Sequence, residues 1–260
     1  MNLLEARMVE LLRELKRNYA VVGIKAEFEA EGTRTEELMR LKEICLRAEA
    51  SLTLKIGGCE AIRDMFDARA VGVNHLVAPM VETPFALRKY LRAIDVAFPA
   101  AEQRDVEFLV NIETIQAVEK FDDMIRIPEI KKLNGIVLGR SDLTGSMGIA
   151  KELINSKQVL NIVKSVLIKA KTLKMTTVVG GTIAVESIPF LIQLSGGLLD
   201  RFETRKVCFA CSEALNKNPA EGIRKALTFE MMWLQNKRNH YEMISKEDEK
   251  RLAALERRFA

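Results

Sequence analysis

Two carboxylates follow apolar runs that are typical of buried strands. Glu113 comes after the run Phe108–Ile112, and Asp142 comes shortly after the run Gly135–Gly139. A helical pattern begins near each acid, and the acids lie about 30 residues apart, the length of one strand–helix unit. Because the carboxyl ends of parallel strands meet at one rim, both side chains are expected at the same rim.

Two acids at one rim can hold a single hard divalent cation, so the expected cofactor is Mg²⁺ or Mn²⁺. A keto acid could offer its carboxylate and carbonyl oxygens to that cation, which would stabilise an enolate. Alternatively, Glu113 and Asp142 are helix N-terminal acids stabilised by the helix dipole. Residue type alone leaves the two interpretations equal.

Lys55 ends a predicted strand and is followed by Gly57 and Gly58 at the start of a helix. Exposed backbone N–H groups and a helix start attract anions, so these three residues are candidates for binding a substrate carboxylate, phosphate or keto oxygen. Lys55 could equally be an exposed lysine. Glu27 is a candidate general base if burial or a neighbour raises its pKa, although such acids are more often solvated or ion-paired.

Other residues at predicted strand ends are weaker candidates for the same site. Gly139, Ser141 and Gly180 could bind substrate, although the turn at Gly180 could equally be a plain helix cap. Arg140 or Arg205 could anchor a distal anionic group, and Arg140 is also a catalytic candidate. Both histidines are poorly placed: His75 opens a predicted strand at the far end from the chemistry, and His240 lies in the C-terminal helical region.

Eight strands can be placed along the chain: Ala20–Phe28, Ser51–Ile56, Asn74–Ala78, Asp105–Ile112, Asn134–Leu138, Met175–Val179, Leu198–Phe202 and Lys206–Phe209. The helical patterns between them are Thr33–Ala48 with a Thr33–Glu36 capping box, Glu60–Ala70, Pro84–Ala97, Ile115–Met124, Ser156–Leu173 and Ala184–Leu194. Repeated strand–helix units predict an α/β fold, a (β/α)₈ TIM barrel in a single domain over 1–260, with the barrel core at about 20–210. An open doubly wound sheet is the rival, and a helix is missing between the last two strands.

Two further helices, Ala220–Arg238 and Lys246–Arg258, are predicted at the C-terminal end. They contain the apolar segment Phe229–Leu234, which includes the single tryptophan. A barrel needs one closing helix, so the extra helix predicts a homo-oligomer formed through the C-terminal helices. The alternative is that it covers the bottom of its own barrel.

Composition narrows the function class. The chain is 48% hydrophobic and 29% charged, as in ordinary globular proteins, and its 40 basic and 36 acidic residues are interspersed. With 6% aromatic residues it shows no nucleic-acid surface, and no run approaches the roughly 18–20 apolar residues of a membrane span. The start, Met1–Arg17, is a charged amphipathic helix rather than a signal peptide. The cysteine contexts favour reduced thiols and a cytoplasmic location, and Cys208 and Cys211 lack the second ligand pair of a zinc site.

Three motifs resemble the HpcH/HpaI aldolase and citrate lyase β-subunit family of the pyruvate/phosphoenolpyruvate barrel superfamily. They are Val77–Thr83, Asn111–Thr114 and Gly139–Gly148, within a resemblance that covers about residues 20–210. The resemblance implies that Glu113 and Asp142 ligate Mg²⁺ or another divalent ion. It also implies C–C bond cleavage or formation next to pyruvate, oxaloacetate or an acyl-CoA, in a homo-oligomer.

Two departures from the family pattern affect the expected activity. Lys55 stands where the resemblance implies an arginine that binds keto-acid oxygens, and lysine lacks the guanidinium fork. The segment Ala26–Glu29 stands where aldolase members carry a histidine for proton transfer. The leading hypothesis is a divalent-metal-dependent lyase or aldolase acting on a 2-keto acid. The alternatives are a phosphoenolpyruvate-using transferase or mutase, with Lys55 and Arg140 as phosphate partners, and a catalytically inactive scaffold subunit.

Overall fold

A computed structural model describes residues 1–259 and contains a closed eight-stranded barrel. The strands are β1 (Val21–Glu27), β2 (Ser51–Lys55), β3 (His75–Ala78), β4 (Glu107–Ile112), β5 (Gly135–Gly139), β6 (Thr176–Gly180), β7 (Arg201–Glu203) and β8 (Val207–Ala210). The predicted TIM-barrel fold is confirmed, since closure of the sheet is incompatible with an open doubly wound sheet.

The helices surround the barrel and begin with α1 (Leu3–Tyr19), which precedes β1. The others are α2 (Thr35–Ala48), α3 (Ile62–Val71), α4 (Pro84–Ala97), α5 (Ala100–Gln103), α6 (Ile115–Glu119), α7 (Phe121–Met124), α8 (Arg140–Ser146), α9 (Lys157–Thr172), α10 (Ile188–Ile192), α11 (Cys211–Asn216) and α12 (Pro219–Phe259). In the described part of the chain, no helix is both long and apolar enough to cross a bilayer.

Capping residues and proline in the sequence predicted the start of α4 correctly and the start of α2 incorrectly. The helix α4 begins at Pro84, and the Thr83 hydroxyl accepts a hydrogen bond from the Ala86 N–H at 3.1 Å. The Thr33–Glu36 capping box is wrong, because α2 begins two residues later than predicted and the Glu37 carboxylate accepts the Arg34 N–H.

Two predicted helices are interrupted. The predicted helix Ile115–Met124 is split into α6 and α7 at Lys120, whose backbone leaves the helical region at φ −91°, ψ 0°. The predicted helix Ala184–Leu194 becomes a 3₁₀ turn over Val185–Ser187 followed by α10. Pro189 lacks the N–H that a continuous α-helix would donate to the carbonyl of Val185.

The last two strands depart from regular barrel topology. Strands β1 to β7 pair in parallel, whereas β8 pairs antiparallel with both β7 and β1. Only Thr204–Lys206 join β7 to β8, too few residues for a crossover helix, so β8 must run back along β7. The absence of a helix between the last two strands, already visible in the sequence, therefore explains why β8 runs antiparallel to its neighbours.

Successive side chains of each strand point to opposite faces of the sheet, so apolar residues face the surrounding helices and polar residues face the barrel interior. On β1, Ile24 and Ala26 belong to the large apolar core, whereas Lys25 and Glu27 line a cavity at the carboxyl end of the barrel. Below that cavity, Val77, Leu109, Val137 and Val178 form a small apolar cluster. The polar layer thus rests on an apolar floor and opens at the rim predicted for chemistry.

A single long helix replaces the two predicted C-terminal helices. Helix α12 runs without interruption for 41 residues. Its first half is anchored by Ile223, Ala226, Phe229 and Trp233, all buried at three- and four-residue spacing. A Cβ on Gly222 would lie 3.1 Å from Tyr19, which reflects the close packing of α12 on α1. The second half, from about residue 242, is exposed.

His75 opens β3 at the amino end of the barrel, away from the cavity, as the sequence predicted. Its Nδ1 lies 3.0 Å from the Thr53 hydroxyl, and its Nε2 lies 3.6 Å from Glu107. Burial, assisted by Arg201, lowers the pKa of His75 to about 4. The folded protein therefore keeps this imidazole neutral.

We expect His75 to reduce stability in mild acid. Between its ordinary pKa of 6.5 and the folded value of about 4, only the unfolded chain binds the proton. The free energy of unfolding should fall by about 3 kcal/mol across this window because of this residue. Urea unfolding of wild type and His75→Gln at pH 7 and pH 4.5 measures the effect. An equal decrease in unfolding free energy for wild type and His75→Gln would contradict the prediction.

Candidate active site

A cavity of about 470 Å³ opens at the carboxyl ends of the strands. Its lining brings together Glu113, Asp142 and most of the other predicted site residues: Glu27, Lys55, Gly139, Ser141, Gly180 and Arg205. A larger groove of about 820 Å³ lies outside the barrel, between α1, α2 and α12. We place the candidate active site in the barrel cavity, because that is where strand ends present converging side chains.

Glu113 is the most constrained carboxylate of the cavity and is 1% exposed. Its Oε1 accepts the backbone N–H of Met80 at 3.0 Å. Its Oε2 accepts the Asn111 side-chain amide at 2.5 Å and the Lys55 ammonium at 3.3 Å. These donors hold the carboxylate in a fixed position.

Backbone conformation helps to hold Glu113. Met80, which donates to it, has φ of 51°, a left-handed conformation that non-glycine residues rarely adopt. Gly139 faces the carboxylate from the next strand, and a Cβ there would lie 2.7 Å from Glu113 Oε2. Strain and close approach at one carboxylate are typical of functional sites.

Two buried lysines carry positive charge in the cavity, in addition to the half-exposed Arg205. Lys25 lies 2.5 Å from Glu203 Oε1 and 3.0 Å from Glu27 Oε1. Lys55 lies 2.9 Å from Glu29 and also contacts Glu113. Burial alone would lower the pKa of both lysines, but the surrounding carboxylates raise it, so both are ammonium ions at neutral pH.

Glu27 does not have the raised pKa expected of a general base. Burial alone would raise it, but Lys25, Lys55 and Arg205 together hold the pKa of Glu27 below its ordinary value. The Arg205 guanidinium contributes an ion pair at 3.1 Å. The charged form is thus stabilised, which makes Glu27 a weak proton acceptor.

Asp142 lies in the first turn of α8, exposed to the cavity. The neighbouring Ser141 hydroxyl lies 2.9 Å from that of Thr182, across the cavity edge. Gly181 has φ of 81°, and a Cβ there would lie 2.5 Å from the Ser141 N–H. A close approach of two strand ends therefore places Ser141, the neighbour of Asp142 in sequence, beside the Gly180–Thr182 turn.

The structure corrects the expectation for Arg140. Its guanidinium is fully buried and donates to the carbonyls of Gly180 and Gly181, at 3.2 and 2.8 Å, and to Asn155. It also lies over the ring of Phe190. Arg140 is not among the residues that line the cavity and ties α8 to the end of β6, so we assign it a positioning role. It is therefore unavailable as a phosphate partner.

The expected anion site at Gly57 and Gly58 is also corrected. The Gly57 N–H donates to the Asp64 carboxylate at 2.7 Å, and neither glycine lines the cavity. Helix α3 begins only at Ile62, so the glycines do not form its first turn. Lys55 alone of this predicted trio reaches the cavity.

The residues present fit a hard divalent cation. Each carboxylate oxygen has two lone pairs, and Glu113 Oε1 accepts a single hydrogen bond among the described residues. Asn111 Oδ1 is buried beside it and has no hydrogen-bond partner in residues 1–259. In the same residues no three His, Cys, Asp or Glu side chains form a metal site unaided. Mg²⁺ commonly uses one or two carboxylates and keeps several waters, so Glu113, Asp142 and Asn111 are candidate protein ligands.

Sequence reasoning left several cavity residues without a role. Lys25 and Glu203 form a buried ion pair at 2.5 Å, and Asn111 contacts Glu113 directly. The signal for Lys25 was its alternation with apolar residues on β1, which places a charge inside the barrel. No local signal could place Glu230, which reaches the cavity from α12.

Comparison with known proteins identifies the relatives of this chain. A family model described as HpcH/HpaI aldolase/citrate lyase matches residues 47–187, more than half of the sequence. No curated protein is similar enough in sequence to count as a match.

Solved structures share the fold at low identity. An HpcH/HpaI aldolase from Desulfitobacterium hafniense DCB-2 superposes with a TM-score of 0.62 at 13% identity, covering 86% of this chain and 89% of that chain. An HpcH/HpaI aldolase/citrate lyase family protein from Burkholderia cenocepacia J2315 gives 0.61 at 12%, covering 93% and 90%. The citrate synthase SbnG gives 0.60 at 15%, covering 89% and 90%.

Proposed function

Because the chain belongs to the HpcH/HpaI aldolase/citrate lyase family, we propose that it is a lyase that cleaves or forms a carbon–carbon bond next to a 2-keto acid such as pyruvate or oxaloacetate. The observation that carries this proposal is the convergence of buried Glu113 with Asp142 and the Lys55 ammonium in one cavity. That arrangement combines hard oxygen ligands with fixed positive charge, which suits a small anionic substrate that becomes an enolate.

Glu113, Asp142 and the carbonyl oxygen of Asn111 would hold Mg²⁺ or Mn²⁺. When bound, such a cation supplies Lewis-acid stabilisation of negative charge on the keto oxygen. Glu113 is kept in place for this by Met80 and Gly139. Lys55, which already faces two carboxylates, orients the substrate carboxylate by charge.

Arg205 is proposed to bind the distal anionic group of a second substrate. Its side chain is half exposed and lies over the cavity beside Glu27. Ser141 and the turn at Gly180, on the opposite side, provide hydroxyl and backbone groups close to the substrate. A substrate between them would contact both sides of the cavity.

The exposed half of α12 supports a homo-oligomer as part of the proposal. Its exposed apolar residues are Met243, Ile244, Leu252, Leu255 and Phe259. A second copy of the chain would cover this surface. All four cysteines are free thiols and three are buried, which favours a reducing compartment such as the cytoplasm.

Proton–deuterium exchange at the methyl group of pyruvate tests the proposed function without knowledge of the second substrate. Pyruvate is incubated with the protein in D₂O, with Mg²⁺ or with a chelator, and the methyl signal is followed by NMR. We expect exchange that requires protein and Mg²⁺ together. Failure both to exchange pyruvate and to consume oxaloacetate would contradict the proposal.

Replacement of Gly139 by alanine is expected to displace Glu113. The new Cβ would lie 2.7 Å from Glu113 Oε2 and 2.8 Å from Glu113 Cβ, so the carboxylate must move. We expect at least about a tenfold loss of Mn²⁺ affinity in calorimetry, since one misplaced ligand costs 1.4 kcal/mol or more. Gly145→Ala is the matched control, because a Cβ there has no neighbour within 4 Å among the described residues. Equal affinities for the two variants would contradict the prediction.

A further inference from the structure

Helix α12 contributes to the lining of the cavity that also contains the proposed metal ligands. Leu227 and Glu230, one turn apart, both line it. The buried residues Phe229 and Trp233 anchor this part of the helix in the apolar core. Glu230 therefore occupies a defined position at the cavity and is only partly exposed.

Glu230 differs from most other carboxylates of the cavity in its surroundings. Lysine or arginine lies within 4.0 Å of the carboxylates of Glu27, Glu29, Glu113 and Glu203. The other two carboxylates that line the cavity belong to Glu230 and Asp142. Neither side chain forms an ion pair or a hydrogen bond among residues 1–259. Asp142 is already a proposed metal ligand. Glu230 is thus a half-buried carboxylate whose oxygens have no ion-pair or hydrogen-bond partner among the described residues.

We propose that Glu230 is the residue that moves the proton between the substrate carbon and the protein. This inference rests on the proposed function. The Glu230 carboxylate takes a proton from the carbon next to the keto group, and an O–H bond forms on Glu230 as the C–H bond breaks. The released electron pair forms the enolate C=C bond, and the carbonyl π pair moves to the keto oxygen. In the reverse direction the protonated Glu230 returns the proton to the carbon.

The electrostatic surroundings of Glu230 suit a general base better than those of Glu27 do. Burial raises the pKa of Glu230 above its ordinary value, and Glu31 and Glu27 add to the increase, whereas Arg205 and Lys206 oppose it. A carboxylate whose charged form is less stabilised is a stronger base, and catalysis improves as its pKa approaches the working pH. By contrast, the neighbouring cations lower the pKa of Glu27, which makes it a weaker base.

The test compares Glu230→Gln, Glu230→Asp and wild type in the pyruvate exchange assay across pH. We expect Glu230→Gln to lower the maximal exchange rate by about a hundredfold or more, with the pyruvate concentration for half-maximal rate changed less than about threefold. The fall in rate towards low pH, which reports protonation of the base in wild type, should disappear in this variant. Glu230→Asp should keep that fall and part of the rate.

Glu247→Gln is the control, because Glu247 lies exposed on the same helix and pairs only with Arg251 among the described residues. A Glu230→Gln protein with wild-type rate and pH profile would overturn the inference and leave the proposed function intact. A wild-type protein that neither exchanges pyruvate nor consumes oxaloacetate would overturn both. Loss of pyruvate binding rather than rate in Glu230→Gln would also overturn the inference, because it would assign Glu230 to binding.

Discussion

Replacement of Asp142 by asparagine is expected to lower metal-dependent pyruvate exchange by at least about a hundredfold. The change removes one of two negative charges proposed to hold the divalent cation and leaves an amide oxygen of similar shape. Lewis-acid stabilisation of the enolate contributes several kcal/mol, and each 1.4 kcal/mol lost corresponds to about a tenfold slower reaction. Because Asp142 is exposed at the start of α8, the fold should persist.

Binding measurements separate this prediction from a general loss of activity. Titration of Mn²⁺ into the Asp142→Asn protein should show at least about tenfold weaker binding than wild type. Asp123→Asn is the control, since Asp123 lies on α7, outside the cavity lining. If Asp142→Asn exchanges pyruvate as fast as wild type and binds Mn²⁺ equally well, the metal assignment is wrong.

Replacement of Lys25 by methionine is expected to cost about 3–5 kcal/mol of unfolding free energy. Lys25 is buried between Glu203 and Glu27, at 2.5 and 3.0 Å. Without the ammonium Glu203 would lose its ion pair in the barrel interior, while Glu27 would keep only its pair with Arg205. Removal of one partner of a buried pair typically has this cost. Urea unfolding followed by circular dichroism at pH 7 measures the loss.

A second substitution tests the cause of that loss. The double variant Lys25→Met/Glu203→Gln removes the carboxylate charge that lost its partner and should recover a substantial part of the lost stability. Lys246→Met is the control, because its pair with Glu242 is exposed on α12 and should leave stability unchanged. If the double variant is no more stable than Lys25→Met, lost packing rather than stranded charge explains the effect.

The sequence predicted the barrel and the position of Glu113 and Asp142 at the same rim because both depend on local, repeating signals. Apolar runs with two-residue alternation place strands, and each acid follows such a run at a parallel strand end. Pro84 and Thr83 fixed the start of α4 for the same reason, since their effects act within one turn.

Features that depend on tertiary packing could not be predicted in the same way. Arg140 is adjacent in sequence to the site, yet its guanidinium turns towards the carbonyls of Gly180 and Gly181, 40 and 41 residues away. Glu230 reaches the cavity only because α12 packs against α1, a contact between the two ends of the chain. The continuity of α12 was missed at residues 239–245, a mostly exposed segment that lacks the buried stripe that marks a helix in sequence.

The most direct measurement is anomalous X-ray scattering from crystals of the protein grown with manganese chloride. If two acidic side chains and an amide oxygen form the metal site, a single strong peak should lie within ligand distance of Glu113 and Asp142 at the carboxyl rim. Absence of any peak there, or a peak bound elsewhere in the chain with those two residues still contacting only protein donors, would contradict the account.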